Sequence, residues 1–263
     1  MLLGQIDESF HQVAGGVVHE VLLCLGHRVE VREGPHPEMY PMLGNGEVHL
    51  LATSWLPGGH GRYWPGISDR ALQVTPLYDG ARFFWAVPDY IPADLVAALP
   101  DLARPEVVER MATLVVQGTT PGAGLTARSL QLVTDYELDK AGWSYKIGSF
   151  AEIIDTVEAR IAAREWFVTP LWQPLYLNEV YALRPLDDPR GVFPPPDGAW
   201  LTANREAFER LPERTQAVLR RIRFTVADVT AMDRSVNCGR LGTLEAARAW
   251  MAQHPDRVGV WLA

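Results

Sequence analysis

Residues 45–64, NGEVHLLATSWLPGGHGRYW, decide how the rest of the chain is read. Asn45-Gly46 is a tight-turn signal, since these two residue types tolerate the positive φ that such turns demand. The apolar run from Val48 to Thr53 that follows reads as a short buried strand. It ends on Ser54-Trp55-Leu56-Pro57 and opens into a glycine-rich loop carrying His60, Tyr63 and Trp64. A tryptophan at the carboxyl end of a strand stands where open α/β sheets bind their ligands. It also stands where a large core residue would cap the sheet, and from these residues alone the core role is favoured.

Upstream, MLLGQI at 1–6 reads as a first strand, and Asp7 or Ser9 offers an N-cap. A helix follows with Val13, Val17, Val21 and Leu25 on one face, stopped by Gly26. Val29 and Val31 alternate with charged residues in a second strand, which completes a βαβ opening. EGPHPEMYPML at 33–43 is a proline-punctuated turn into a short helix, with Tyr40 expected in the core rather than at a pocket rim.

Downstream, a strand is expected around 72–75 and another at 81–87, ARFFWAV, ending on Pro88-Asp89-Tyr90. Residues 104–118 hold a helix and a strand, and QGTTPGAG follows at 117–124. That loop lacks the GK[ST] of a phosphate loop and the third glycine of a dinucleotide fingerprint. A strand-to-helix turn explains it. Ser149-Phe150-Ala151-Glu152 has the spacing of a capping box and opens a helix with Ile153, Ile154, Val157 and Ile161 on one face. WFVTPLW at 166–172 reads as a strand running into Gln173-Pro174-Leu175-Tyr176. Pro194, Pro195 and Pro196 stiffen an extended loop, and a strand end follows at 200–204. One helix or two short ones occupy 206–223, a further helix begins near Phe224-Thr225, and another covers 244–251. Val258 to Trp261 reads as strand-like.

At 263 residues with 48% hydrophobic composition, the chain buries a core and is globular rather than disordered. A net charge of -8 with no Lys/Arg run excludes a nucleic-acid partner and leans toward a cationic or zwitterionic ligand. No apolar run approaches the length of a membrane span, roughly 18 residues. The first 20 residues carry Asp7 and Glu8 and lack the basic and apolar regions of a secretory signal. Cys24 and Cys238 show no metal-ligand spacing; they are read as two separate buried thiols or as one disulfide.

Two elements carry a specific resemblance. SWLPGGHGRY at 54–63 and LWQPLY at 171–176 resemble segments of the substrate-binding proteins of glycine betaine/choline-type ABC importers. The VPDY at 87–90, the LDDP at 186–189 and the AW…HP…W ending are also similar to that family. The resemblance runs from about residue 3 to 261. It implies a two-lobed α/β fold of the periplasmic-binding-protein type, with two crossover strands and a central cleft. Residues 1–88 with 190–263 would form one lobe and 89–189 the other. It implies a quaternary ammonium ligand such as glycine betaine, proline betaine or choline, held in an aromatic box. A trimethylammonium group has no N–H to donate, so its recognition rests on cation–π attraction, about 0.5–2 kcal/mol per contact. Trp55 and Trp172 match the facing walls and Phe224 the third, with Tyr63, Tyr176 and Trp64 in reserve. Backbone N–H groups near Gln5 and Ile6 match the carboxylate site, and His60 is either a ligand contact or a loop-positioning residue. Ala123 stands where some members have Trp. The implied partners are a membrane permease and its ATPase. The implied location is periplasmic or otherwise extracytoplasmic, with a monomeric binding protein; a cytoplasmic place stays open because no signal sequence is read.

No activated nucleophile, HExxH or GxSxG is present, so no catalytic residue, cofactor or metal is expected. The seven histidines read as scattered surface or turn residues. Two alternatives stay open: the same fold with an amino-acid ligand, or a cytoplasmic sensor or enzyme that reuses it.

Overall fold

A computed structural model describes all residues, Met1–Ala263. The chain divides into two compact units, one of Met1–Ala81, Pro174–Tyr176 and Pro196–Ala263, the other of Arg82–Gln173 and Leu177–Pro195.

The first unit begins β1 (Leu2–Ile6), α1 (Ser9–Cys24), β2 (Glu30–Gly34), α2 (His36–Asn45), β3 (Leu50–Leu56) and β4 (Ala71–Pro88). β1 is parallel to both β2 and β3, so the expected βαβ opening is present. Apolar residues at three- and four-residue spacing seat α1 on this sheet, and Val13, Val17, Val21 and Leu22 are fully buried. Its N-cap position is Glu8 and carries no side-chain capping bond. The Ser9 hydroxyl, one of the two expected caps, donates to Asp233 Oδ1 instead at 2.6 Å.

β4 is a single strand of 18 residues, where the sequence reads as two. Register shifts between Gln73 and Thr75, Pro76 and Tyr78, and Asp79 and Ala81 absorb Pro76 and Gly80 without ending it. Its second half, from Arg82, belongs to the second unit. That unit continues with α3 (Pro105–Val108), β5 (Val115–Gln117), α4 (Gly124–Asp135), β6 (Ser144–Lys146), α5 (Phe150–Ala162), β7 (Thr169–Gln173), α6 (Leu177–Val180) and β8 (Leu183–Pro185). β7 and β8 pair antiparallel with β4, and β5 with β6 in parallel. The capping box at Ser149 forms as read: its hydroxyl accepts from Glu152 N–H, and the Glu152 carboxylate accepts from Ser149 N–H at 2.8 Å.

The chain completes the first unit with β9 (Asp197–Asn204), α7 (Arg205–Glu209), α8 (Glu213–Leu219), α9 (Val226–Asn237), α10 (Thr243–Gln253) and α11 (Pro255–Leu262). β9 lies antiparallel between β3 and the first half of β4, giving this unit the strand order β2-β1-β3-β9-β4. The strand-like ending is in fact α11. Pro255 occupies the first turn, and Val258, Trp261 and Leu262 recur at helical spacing, with Trp261 buried. Cys24 and Cys238 are both free and both exposed, so neither the disulfide nor the buried pair is found. No helix is long and apolar enough to cross a membrane.

Candidate functional site

Trp55 lies one residue before the end of β3 and is 1% exposed. Its carbonyl accepts from the His60 backbone N–H at 2.8 Å, while its own N–H donates to His60 Nδ1 at 3.0 Å. This reciprocal pair closes the loop. The indole Nε1–H donates to the Tyr78 hydroxyl at 3.1 Å, and the imidazole of His60 lies nearly parallel to the indole, 13° off with centroids 6.0 Å apart. The loop between them is fixed from below: Gly58 and Gly59 N–H donate to the two carboxylate oxygens of Asp197 at 2.7 and 2.6 Å.

Around this loop the first unit gathers an aromatic and imidazole cluster. His36 Nε2 is 3.0 Å from His60 Nε2, and the Tyr40 hydroxyl is 2.9 Å from His60 Nδ1. Tyr40 and Tyr63 stack at 5.0 Å, and Phe10 and His11 approach Trp55 at 5.6 and 5.8 Å. His11 is hydrogen-bonded through Nδ1 to the Thr53 hydroxyl. The reading of the histidines as scattered surface groups is therefore corrected for His11, His36 and His60, which are buried together. Burial, first, holds all three on the neutral side; it brings His36 down to about 4, with Arg62 adding to the effect.

The start of α1 has the opposite character. Gln5 and Ile6 lie in β1, in register with Glu33 and Gly34, and the Gln5 amide packs where a Cβ on Gly15 would fall, 2.5 Å away. Asp7 N–H donates to Gly34 O and Glu8 N–H to Ile6 O. Glu8 is pushed up to about 8 by burial and then by Asp7 and Asp233; Asp233, also buried, is raised to about 6. Asp233 is held by Ser9, Asn237 and the Tyr176 N–H, which donates to Oδ2 at 2.9 Å.

In the second unit Trp172 sits in β7 opposite Phe83, with the Phe150 ring 5.1 Å away and its carbonyl accepting from the Asn178 side-chain amide. Ala123 is the N-cap position of α4. Back in the first unit, Phe224 is surrounded by Tyr78, Trp250 and Trp261 at 6.1–6.3 Å. The structure thus joins Trp55, His60 and Tyr63, and sets Phe224 beside Tyr78. Sequence reasoning missed His11, His36 and Tyr78. The histidines are separated by more than twenty residues each and no local spacing signals them.

Residues 3–253 match the family described as the substrate-binding domain of the ABC-type glycine betaine transport system (OpuAC). The chain belongs to this family. Within the family's reach, the glycine betaine/carnitine transport binding protein GbuC of Listeria monocytogenes is 27% identical over 146 residues, 56% of this chain and 48% of that protein. The matched stretch is about half of that relative's length. Among solved structures, lactococcal OpuAC in its closed form with glycine betaine has a TM-score of 0.89 at 21% identity, covering 100% of this chain and 98% of that one. The glycine betaine/L-proline-binding protein ProX of Borrelia burgdorferi gives 0.88 at 18%, with 100% and 96% covered. A choline-binding protein with choline bound gives 0.86 at 16%, with 100% and 91% covered. These structures establish for the chain the mixed α/β fold of periplasmic-binding-protein type.

Proposed function

We propose that this protein is the substrate-binding component of an ABC importer, capturing a quaternary ammonium solute and delivering it to a permease driven by an ATPase. The observation that carries the reading is the setting of Trp55: in a chain of this family, the residue matching an aromatic wall has its indole held by Tyr78 and its backbone by His60. A fixed π face suits a cation that offers no hydrogen-bond donor. Trp172 supplies the second wall from its own unit, with Tyr63 and Tyr176 as lesser contacts. Phe224 lies beside Tyr78 in this reading, and so supports Trp55 through it.

Of the acids at the start of α1, Glu8 is protonated at neutral pH and Asp233 is the charged one, so the carboxylate of a betaine at the Gln5–Ile6 backbone meets a like charge that a choline-like head does not. The protein works as a monomer outside the cytoplasmic membrane and performs no chemistry on its ligand. Calorimetric titration with choline, glycine betaine, proline betaine, carnitine and, as a control, histidine tests this. Binding of one quaternary amine, lost by tenfold or more in Trp55→Ala and in Trp172→Ala, is the expected result, about 1.4 kcal/mol or more per wall. Binding of histidine alone would move the ligand class to amino acids.

A further inference from the structure

The buried imidazoles of His11, His36 and His60 place one nitrogen each within 4.8 Å of one another, an arrangement that first reads as a metal centre. The hydrogen bonds around His60 oppose this. The Trp55 amide N–H points at His60 Nδ1, which therefore presents a lone pair, and the Tyr40 hydroxyl converges on the same nitrogen. A neutral imidazole with a lone pair on Nδ1 carries its proton on Nε2. That Nε2–H faces His36 Nε2 at 3.0 Å and is consumed there. A metal on His60 Nε2 would require the proton on Nδ1, directed at the amide N–H of Trp55.

The same pattern assigns the ring another role. We infer that His60 is a positioning residue for Trp55: in the Nε2–H form it accepts from the Trp55 backbone, donates to His36, and sets the indole's place, without touching the ligand. The inference rests on the reading of Trp55 as an aromatic wall. Three features support it besides the tautomer. The reciprocal bonds between Trp55 and His60 tie the end of β3 to the loop through both main chain and side chain. The parallel imidazole covers one side of the indole. Burial keeps the ring neutral, so no second cation stands beside the π system that would bind the first.

Asparagine and glutamine separate the two ring nitrogens, because Asn places an acceptor near the Nδ1 position and Gln places its polar end near Nε2. Wild type, His60→Asn, His60→Gln, His60→Ala and Trp55→Ala are titrated with choline and with glycine betaine, and melting confirms that each is folded. Expected is a loss of about tenfold for His60→Ala and His60→Gln but less than about threefold for His60→Asn, equal for whichever ligands bind. Loss of glycine betaine alone would show direct contact with its carboxylate and overturn the inference, as would an Asn variant no better than Gln. If Ala does not fold, the Asn–Gln contrast decides. Nitrogen NMR of the labelled, ligand-free protein gives a reading independent of any ligand: an Nε2–H tautomer is expected at His60, and an Nδ1–H tautomer overturns the role. Unchanged affinity in Trp55→Ala would instead remove the aromatic-wall reading, while the tautomer would stand.

Discussion

Trp55 and Trp172 are two buried tryptophans on β-strands, yet the molecule holds them by different means. Trp55 is fixed by directional bonds: Tyr78 on the indole nitrogen, His60 on both backbone groups, and behind these a chain of imidazoles. Trp172 is placed by its strand, by the Phe150 ring, and by an amide on its carbonyl. Phe150 is the first residue of α5, so the setting of Trp172 leans on how that helix begins. The difference teaches that, within its own unit, Trp55 is set into a buried polar network and Trp172 onto a strand beside an aromatic ring. Polar networks are sensitive to the loss of one member, because the remaining buried groups are left unpaired.

The largest test of this contrast is a pair of double-mutant cycles. Trp55→Phe removes the bond to Tyr78, so Trp55→Phe and Tyr78→Phe are expected to couple by about 1 kcal/mol in denaturant unfolding. Trp172→Phe combined with Tyr78→Phe is expected to be additive within about 0.5 kcal/mol. Equal coupling at both positions would erase the distinction.

The pH dependence provides a second test, because the strongly displaced carboxyl and imidazole groups described here all belong to the first unit. His36, depressed to about 4, favours the fold above its usual 6.5 and withdraws that support as pH falls. Glu8 has the opposite sign. Its folded value of about 8 lies above the usual 4.5, so its contribution declines as pH rises through that interval. Between pH 6.5 and 8 the unfolded chain still loses protons from the counterparts of the buried histidines, a gain in stability that the parent shares with Glu8→Gln. The Glu8 contribution is therefore read as a difference: over that window Glu8→Gln is expected to gain roughly 1–2 kcal/mol relative to the parent, measured by urea unfolding at both ends. An equal change in parent and variant would contradict the placement of Glu8.

The smallest expected effect sharpens the other side. Ser149→Ala removes the capping box of α5 and is expected to cost about 1 kcal/mol of stability. It should also weaken ligand binding modestly, about two- to threefold, if Phe150 and Trp172 are set by that helix start. Restoration by Ser149→Thr or Ser149→Asp would assign the loss to the cap.

How far the sequence carries depends on the range of the forces involved. The capping box at Ser149, the βαβ opening and the arrival of β3 at Trp55 are local, and each is legible in a few consecutive residues. The long β4 was not, because Pro76 and Gly80 break a strand locally and only pairing with β9 carries it through. The ending reads as a strand because Val258-Gly259-Val260 alternates, whereas Pro255 and the buried Trp261 fix a helix. The cluster of His11, His36 and His60 was invisible for a stronger reason. Its members come from α1, the first turn of α2 and the loop after β3, and only the assembled sheet brings those three ends together.

One tie described above bears on the order in which the chain assembles. Asp197 accepts from Gly58 and Gly59, across sequence separations of 139 and 138 residues. Asp197 is the first residue of β9, the strand on which the chain re-enters the first unit. During synthesis the Trp55 loop therefore emerges early and waits, its glycine amides without their carboxylate, until the intervening unit has been made. The second unit, Arg82–Gln173 with Leu177–Pro195, is made entirely of chain synthesised between the two partners of that tie. The loop that carries Trp55 therefore gains its carboxylate anchor only after the whole of that unit has been made.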